Sequence, residues 1–195
     1  MKIRPAVNDD CAALARIQVD SYRSAYTGLV PDGYLARFAC EEQEQDWRDL
    51  LSAHEPPLLL VAESESGQIA GYALGRAGRA DIEPYDSELV ALHVRPWAQR
   101  LGVGRQLVAA LVQHLLRQGC GSLMLWMLAG NRARSFYEGL GGCIIGEQTM
   151  DWGEGWVTTE VAYGWPCLER LARLAAARLS RNVVKGGSHA GQHAD

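Results

Sequence analysis

Apolar positions recur along this chain with two periods, and the switches between them mark its elements. The opening "KIRPA" alternates like a short strand. Asn8 or Asp9 can then cap a helix running to about Tyr22, with Leu14, Ile17 and Val19 at helical spacing. A second short helix is predicted after Pro31, and a third over "CEEQEQDWRDLLSAH". "PLLLVAES" and "QIAGYALGRA" read as two strands joined through "ESGQ" as a hairpin, and "ELVALHV" is apolar enough for a central strand. Helical spacing then returns: Leu107, Leu111 and Leu115, flanked by Val108 and Val112, form a wide stripe ending at Gly119 and Gly121.

"SLMLWML" is a further buried strand, and "NRARSFYEGL" a short helix with Ala133, Phe136, Tyr137 and Leu140 on one face. Two last strands, around "CIIGEQTM" and "GWVTTEVAYGW", flank the turn-rich "DWGEG". The order predicts a mixed α/β (α+β) domain over residues 1–165, with helices packed on a sheet. Residues 166–195 follow as a basic amphipathic helix and a tail, "GGSHAGQHAD", expected to be disordered. Leu168, Leu171, Leu174 and Leu179 give that helix a narrow stripe, which favours packing on its own domain. A second copy of the chain remains a candidate partner, as a homodimer.

Composition narrows the function. The 195 residues are 48% hydrophobic and 22% charged, enough for one sizeable core. No run approaches the length of a membrane span and the N-terminus turns charged at once, so a cytoplasmic protein without membrane attachment is expected. Cys11, Cys40, Cys120, Cys143 and Cys167 are scattered, which predicts neither a disulfide framework nor a metal site. The net charge of −4 divides into −7 over residues 1–165 and +3 beyond. An acidic body argues against a nucleic-acid partner and suits a cationic small molecule or amine.

One stretch resists a purely structural reading. "QRLGVG", residues 99–104, puts two glycines where a strand hands over to a helix. The first turn of a helix carries unpaired N–H groups and a partial positive charge. Glycines there let the backbone approach a phosphate closely. A tight strand-to-helix turn without ligand satisfies the same glycines. Neither a P-loop nor G-x-G-x-x-G is present, since Leu107 occupies the place of the third glycine.

The hexapeptide after "HVRP" resembles the Q/R-x-x-G-x-G/A signature of the GNAT superfamily of acetyl-CoA-dependent N-acyltransferases. "LWMLAGNRARSFYEGLG" is similar to the later N-x-x-A-x-x-x-Y-x-x-x-G motif of that family, matching it from Ala133 through Tyr137 to Gly141, with Asn131 one residue nearer to the alanine than the motif has it. "SYRSAYTGLVPDGYL" resembles the first helical region of many bacterial members, so the likeness covers most of residues 1–165. One departure is that Gly142 and Cys143 stand where the family commonly has an aromatic.

The resemblance implies a mostly antiparallel sheet with one splayed parallel strand pair, whose cleft takes acetyl-CoA as acyl donor. It gives the pyrophosphate to the amides of Arg100, Leu101, Gly102, Val103, Gly104 and Arg105, with Gln99 leading the motif. It gives the pantetheine arm to Leu92, His93 and Val94, with the Leu92 N–H polarising the thioester carbonyl, and a coenzyme contact to Asn131, which is equally a helix cap. Tyr137 matches the general acid for the leaving thiolate; a core tyrosine is the other reading. Glu88 is a candidate general base or a carboxylate for the acceptor's charge. His93 can titrate usefully, although a lone strand histidine is more often simply packed, and it is expected to face away from Glu88 unless a bulge alters the count.

For the acceptor, Tyr22, Tyr26, Tyr34 and Trp126 are candidates, with Asp81, Glu83 and Asp86 as acidic neighbours; aromatics and carboxylates suit a cation. The reaction implied is acetyl transfer to a small primary amine. Transfer to a peptide or protein amine, or acyl-CoA binding by a non-catalytic sensor, are the alternatives.

Overall fold

A computed structural model describes residues 1–36, 39–78, 80–153 and 155–186, the last stretch with side chains to 177. The order is β1 (Lys2–Pro5), α1 (Cys11–Tyr26), α2 (Asp32–Ala36), α3 (Cys40–Ser52), β2 (Leu58–Glu63), β3 (Ile69–Ala77), β4 (Ser87–Val94), α4 (Val103–Arg117), β5 (Leu123–Leu128), α5 (Arg134–Glu138), β6 (Cys143–Asp151), β7 (Val157–Trp165) and α6 (Leu168–Gly186). The strands make one seven-stranded sheet, β1-β2-β3-β4-β5-β7-β6. Every pairing is antiparallel except β4 with β5.

Each face of the sheet buries a core of its own. On one, Leu107, Leu111 and Leu115 of α4 are fully buried against Leu60, Ala73, Leu89, Leu123 and Leu125. Leu168, Leu171 and Ala175 of α6 join that core, while Leu174 is turned outward. The leucine stripe read from the sequence is therefore displaced toward Ala175. Leu179 and the tail from Gly187 lie outside the described side chains and residues. On the opposite face, Leu14 and Ile17 of α1 and Trp47 of α3 pack on Val61, Tyr72 and Leu74.

The structure departs from the sequence reading at α1 and at β4. Helix α1 runs to Tyr26 instead of Tyr22, and neither Asn8 nor Asp9 caps it. Asp10 does the local fastening: its buried carboxylate accepts the Val7 N–H at 2.9 Å and two hydrogen bonds from the Arg4 guanidinium, at 2.7 and 2.9 Å. Arg4 also reaches Glu63 at 2.7 Å, so one cluster ties β1, β2 and the entrance of α1. The second departure is a bulge in β4. Leu74 faces Ala91 and Gly75 faces Leu89, leaving Val90 as the extra residue. Gly75 is needed there because a Cβ would stand 2.7 Å from Leu111 of α4.

Candidate active site

The parallel strands β4 and β5 meet at a single register pair, Glu88 with Met124, and diverge beyond it. Between them opens a cleft of about 1350 Å³, walled by β4 from Leu89 to Val94, by Leu125–Met127 of β5, by α1, by the turn before α4 and by Gly130–Ala133 with α5. The Arg95 N–H bonds back to Ala70 on β3 at 2.8 Å. Period-two alternation then directs the N–H groups of Leu92 and Val94 to the opposite edge, toward the cleft. The Gln99 side-chain amide takes the Val94 carbonyl at 3.0 Å, so this edge is partly satisfied while the Leu92 N–H stays available.

The turn into α4 is wound tightly. Arg100 has φ +63 and Gly102 φ +86, a left-handed pair that turns the first amides of α4 toward the cleft. Helical bonding begins where the Gln106 N–H reaches the Gly102 carbonyl at 3.0 Å, leaving the amides of Val103 and Gly104 without helical partners. Gly104 lines the cleft, but the side chains of Leu101 and Val103 do not: Leu101 points to solvent and Val103 into the core. The Arg105 guanidinium donates to the carbonyls of Gly139 at 3.3 Å and Leu174 at 3.2 Å, tying the first turn of α4 to α5 and α6.

Tyr137 is buried yet borders the cleft, in edge contact with Phe136 and Trp165. Burial raises its phenol above the usual range, so it is protonated at neutral pH. The Asn131 side-chain oxygen accepts the Ala133 N–H at 2.9 Å in a turn just ahead of α5, whose N-cap is Ala133, and the residue also lines the cleft.

The bulge reverses one expectation about β4. It brings His93 onto the same face as Glu88, because Tyr72 and Arg76, their partners on β3, lie on one side of that strand. His93 stacks against Tyr22 and Tyr72 at 5.6 and 5.2 Å between ring centroids. Burial presses its pKa down to about 4, which keeps the imidazole neutral. Glu88 does not line the cleft. It lies 4.0 Å from Arg76, and burial with the nearby Asp81 raises its pKa against that arginine's opposing pull.

Tyr22, Tyr26 and Trp126 do line the cleft, Tyr22 and Tyr26 with ring centroids 5.0 Å apart. Tyr34 lies outside it, edge-on to Trp152 at 4.6 Å. The acidic neighbours read from the loop before β4 are outside as well. Asp86 accepts the Gly121 and Ser122 N–H groups and the Ser122 hydroxyl at 2.8–3.0 Å, which holds its pKa below the carboxylate range despite burial. It fastens β4 to the start of β5, far from the mouth of the splay.

Sequence reasoning missed Asp20 and Ser24 of α1 and Thr27 just after it, which line the cleft, and Arg95 and Arg132. The three residues at and just beyond α1 fall at i, i+4 and i+7, a polar line on a helix otherwise read for its apolar one. Arg95 carries a buried Nε with no hydrogen-bond partner among the described residues. That orphaned donor, the open β4 edge and the left-handed turn at Gly102 together fit an anionic, extended coenzyme such as acetyl-CoA. No cluster of three or more His, Cys, Asp or Glu residues is found among the described residues. No described helix is long and apolar enough to cross a membrane.

Residues 16–141 match the acetyltransferase (GNAT) family. The chain is 31% identical over 172 residues to the uncharacterized N-acetyltransferase YuaI of Bacillus subtilis, covering 88% of this chain and 96% of that protein. In three dimensions it resembles the PaiA N-acetyltransferase of Thermoplasma acidophilum in complex with coenzyme A, with TM-score 0.64 and 17% identity over 84% of this chain and 98% of that one. It also resembles a putative acetyltransferase of Salmonella typhimurium with acetyl-CoA, with TM-score 0.58 and 23% identity over 85% of this chain and 93% of that one.

Proposed function

The chain belongs to the GNAT acetyltransferase family, whose acyl donor is acetyl-CoA, and from that premise we propose that it acetylates a small primary amine by direct attack on the thioester. The observation that carries this reading is the splay of β4 from β5 after one register pair, beside the left-handed turn at Gly102 that opens α4. In the reaction an N–C bond forms as the C–S bond breaks, the amine gives up one proton and the departing sulfur takes one.

The amides of Val103, Gly104 and Arg105, with Arg95 at the edge, would hold the pyrophosphate. Leu92 and Val94 would pair with the pantetheine arm, and Asn131 would touch it. The Leu92 N–H supplies a fixed donor toward negative charge developing on the acyl oxygen, the kind of preorganised dipole that lowers acyl-transfer barriers most. Tyr137, held protonated by burial, is the proton donor to sulfur. Glu88, its pKa raised by burial, is the acceptor for the amine's proton and, lying outside the cleft beside Arg76, takes it through intervening water; His93, pressed down to about 4, is too weak a base for that step.

The test is titration of acetyl-CoA by calorimetry followed by thiol release in the presence of amines. Binding with amine-dependent release supports the reading, and absence of binding overturns it. Binding without release from any amine or peptide would instead describe an acyl-CoA sensor.

A further inference from the structure

Charge is divided along the cleft. Its four arginines among the described residues, Arg95, Arg100, Arg105 and Arg132, come from the turn before α4, the first turn of α4 and the loop after β5. On the α1 wall no cationic side chain is found among the described residues lining it. That wall presents Tyr22 and Tyr26, faced by His93 and by Trp126 of β5, and Asp20 is the single acidic residue among the described residues lining the cleft. The carboxylates that could have made this end strongly acidic are engaged elsewhere, Asp86 with backbone amides and Glu88 beside Arg76.

From this division, and resting on the acyltransfer reading, we infer that the acceptor is a monoamine with an apolar body: one ammonium group, no carboxylate, no phosphate and no second charged nitrogen. The ring faces of Tyr22, Tyr26 and Trp126 attract a single cation and pack against hydrocarbon or an aromatic ring. Asp20, exposed at the rim, supplies one opposite charge at the entrance. A carboxylate on the acceptor would meet aromatic rings, a neutral imidazole and the hydroxyls of Ser24 and Thr27, none of them cationic, with the arginines confined to the other wall; such a buried charge without a counter-ion is costly. A di- or polyamine would bring more positive charges than the one carboxylate can answer.

The experiment uses the full wild-type chain saturated with acetyl-CoA and compares matched acceptors by thiol release. Phenethylamine is set against phenylalanine, hexylamine against 6-aminohexanoate and 1,6-diaminohexane, and all of these against a short peptide with a free N-terminus. The two monoamines are expected to exceed their charged counterparts at least 100-fold in kcat/KM. Tyr26→Ala is expected to raise KM for the monoamine at least tenfold and leave KM for acetyl-CoA unchanged. If that variant fails to fold, the wild-type panel decides alone. Preference for the amino acids, the diamine or the peptide, or binding of acetyl-CoA with no turnover of either monoamine, overturns the inference and leaves coenzyme binding standing. Failure to bind acetyl-CoA overturns the acyltransfer reading beneath it.

Discussion

On one wall of the cleft the main chain supplies the polar groups: the edge of β4, the left-handed turn at Arg100 and Gly102, and the first amides of α4. On the other wall side chains supply them, and they come from α1, β4 and β5, elements well separated in the sequence. The first wall can be rebuilt from a short motif, because glycine spacing and a helix start fix where the amides point. The second depends on how α1 lies across the sheet and on which face a bulge gives to His93. A family can therefore keep its donor site while changing its acceptor, and only the first wall is announced by local sequence.

The largest effect should come from the residue where the walls meet. Tyr137→Phe is expected to lower kcat by roughly 10²–10⁴-fold, the usual worth of a positioned general acid, with acetyl-CoA affinity unchanged by calorimetry. An unchanged kcat would return Tyr137 to a core role.

Next is the support of the acceptor wall. Asp10→Ala leaves Arg4 with Glu63 and the Val7 N–H without its acceptor at the entrance of α1, and denaturant unfolding should show a loss of about 2 kcal/mol, as for a buried donor left unsatisfied. In the surviving fold, acceptor KM should rise more than acetyl-CoA KM. Equal changes would mean that the two walls are not separable.

The pH response sharpens the contrast further. His93 has a folded pKa of about 4 against about 6.5 unfolded. Above pH 6.5 both states are neutral and its contribution is constant; as pH falls toward 4 only the unfolded state gains the proton, so stability is lost across that window. The loss sums to about 3 kcal/mol by linkage. Asp10 and Asp86, held below the carboxylate range, lose their contributions only in stronger acid. Thermal melts of His93→Gln should lack the limb between pH 6.5 and 4, and its persistence would assign that limb elsewhere.

The smallest effect belongs to Gln99→Ala. It frees the Val94 carbonyl and should cost about 1 kcal/mol of acetyl-CoA affinity, the net worth of one hydrogen bond, with acceptor KM unmoved.

The same contrast explains how much the sequence disclosed. The strands, the long stripe of Leu107, Leu111 and Leu115, and the glycine turn were legible because period and local geometry encode them. The end of α1 at Tyr26 was legible in principle, since Arg23, Ser24 and Ala25 contain no breaker before Gly28. The bulge at Val90 was not: "ELVALHV" carries no mark of an extra residue, so the face of His93 came out inverted. Asp86 misled because charge alone does not name a partner, and its partners at Gly121 and Ser122 lie across the α4 excursion.

The central claim is that the main-chain wall, and the turn at Gly102 in particular, holds the coenzyme. Calorimetric titration of acetyl-CoA into the wild type and into Gly102→Val tests it most directly, since a branched side chain at φ +86 is strained and disturbs the turn. Tight binding by the wild type, weakened at least tenfold in a variant that still melts cooperatively, is the predicted result. No binding by the wild type, or equal binding by both, would contradict it.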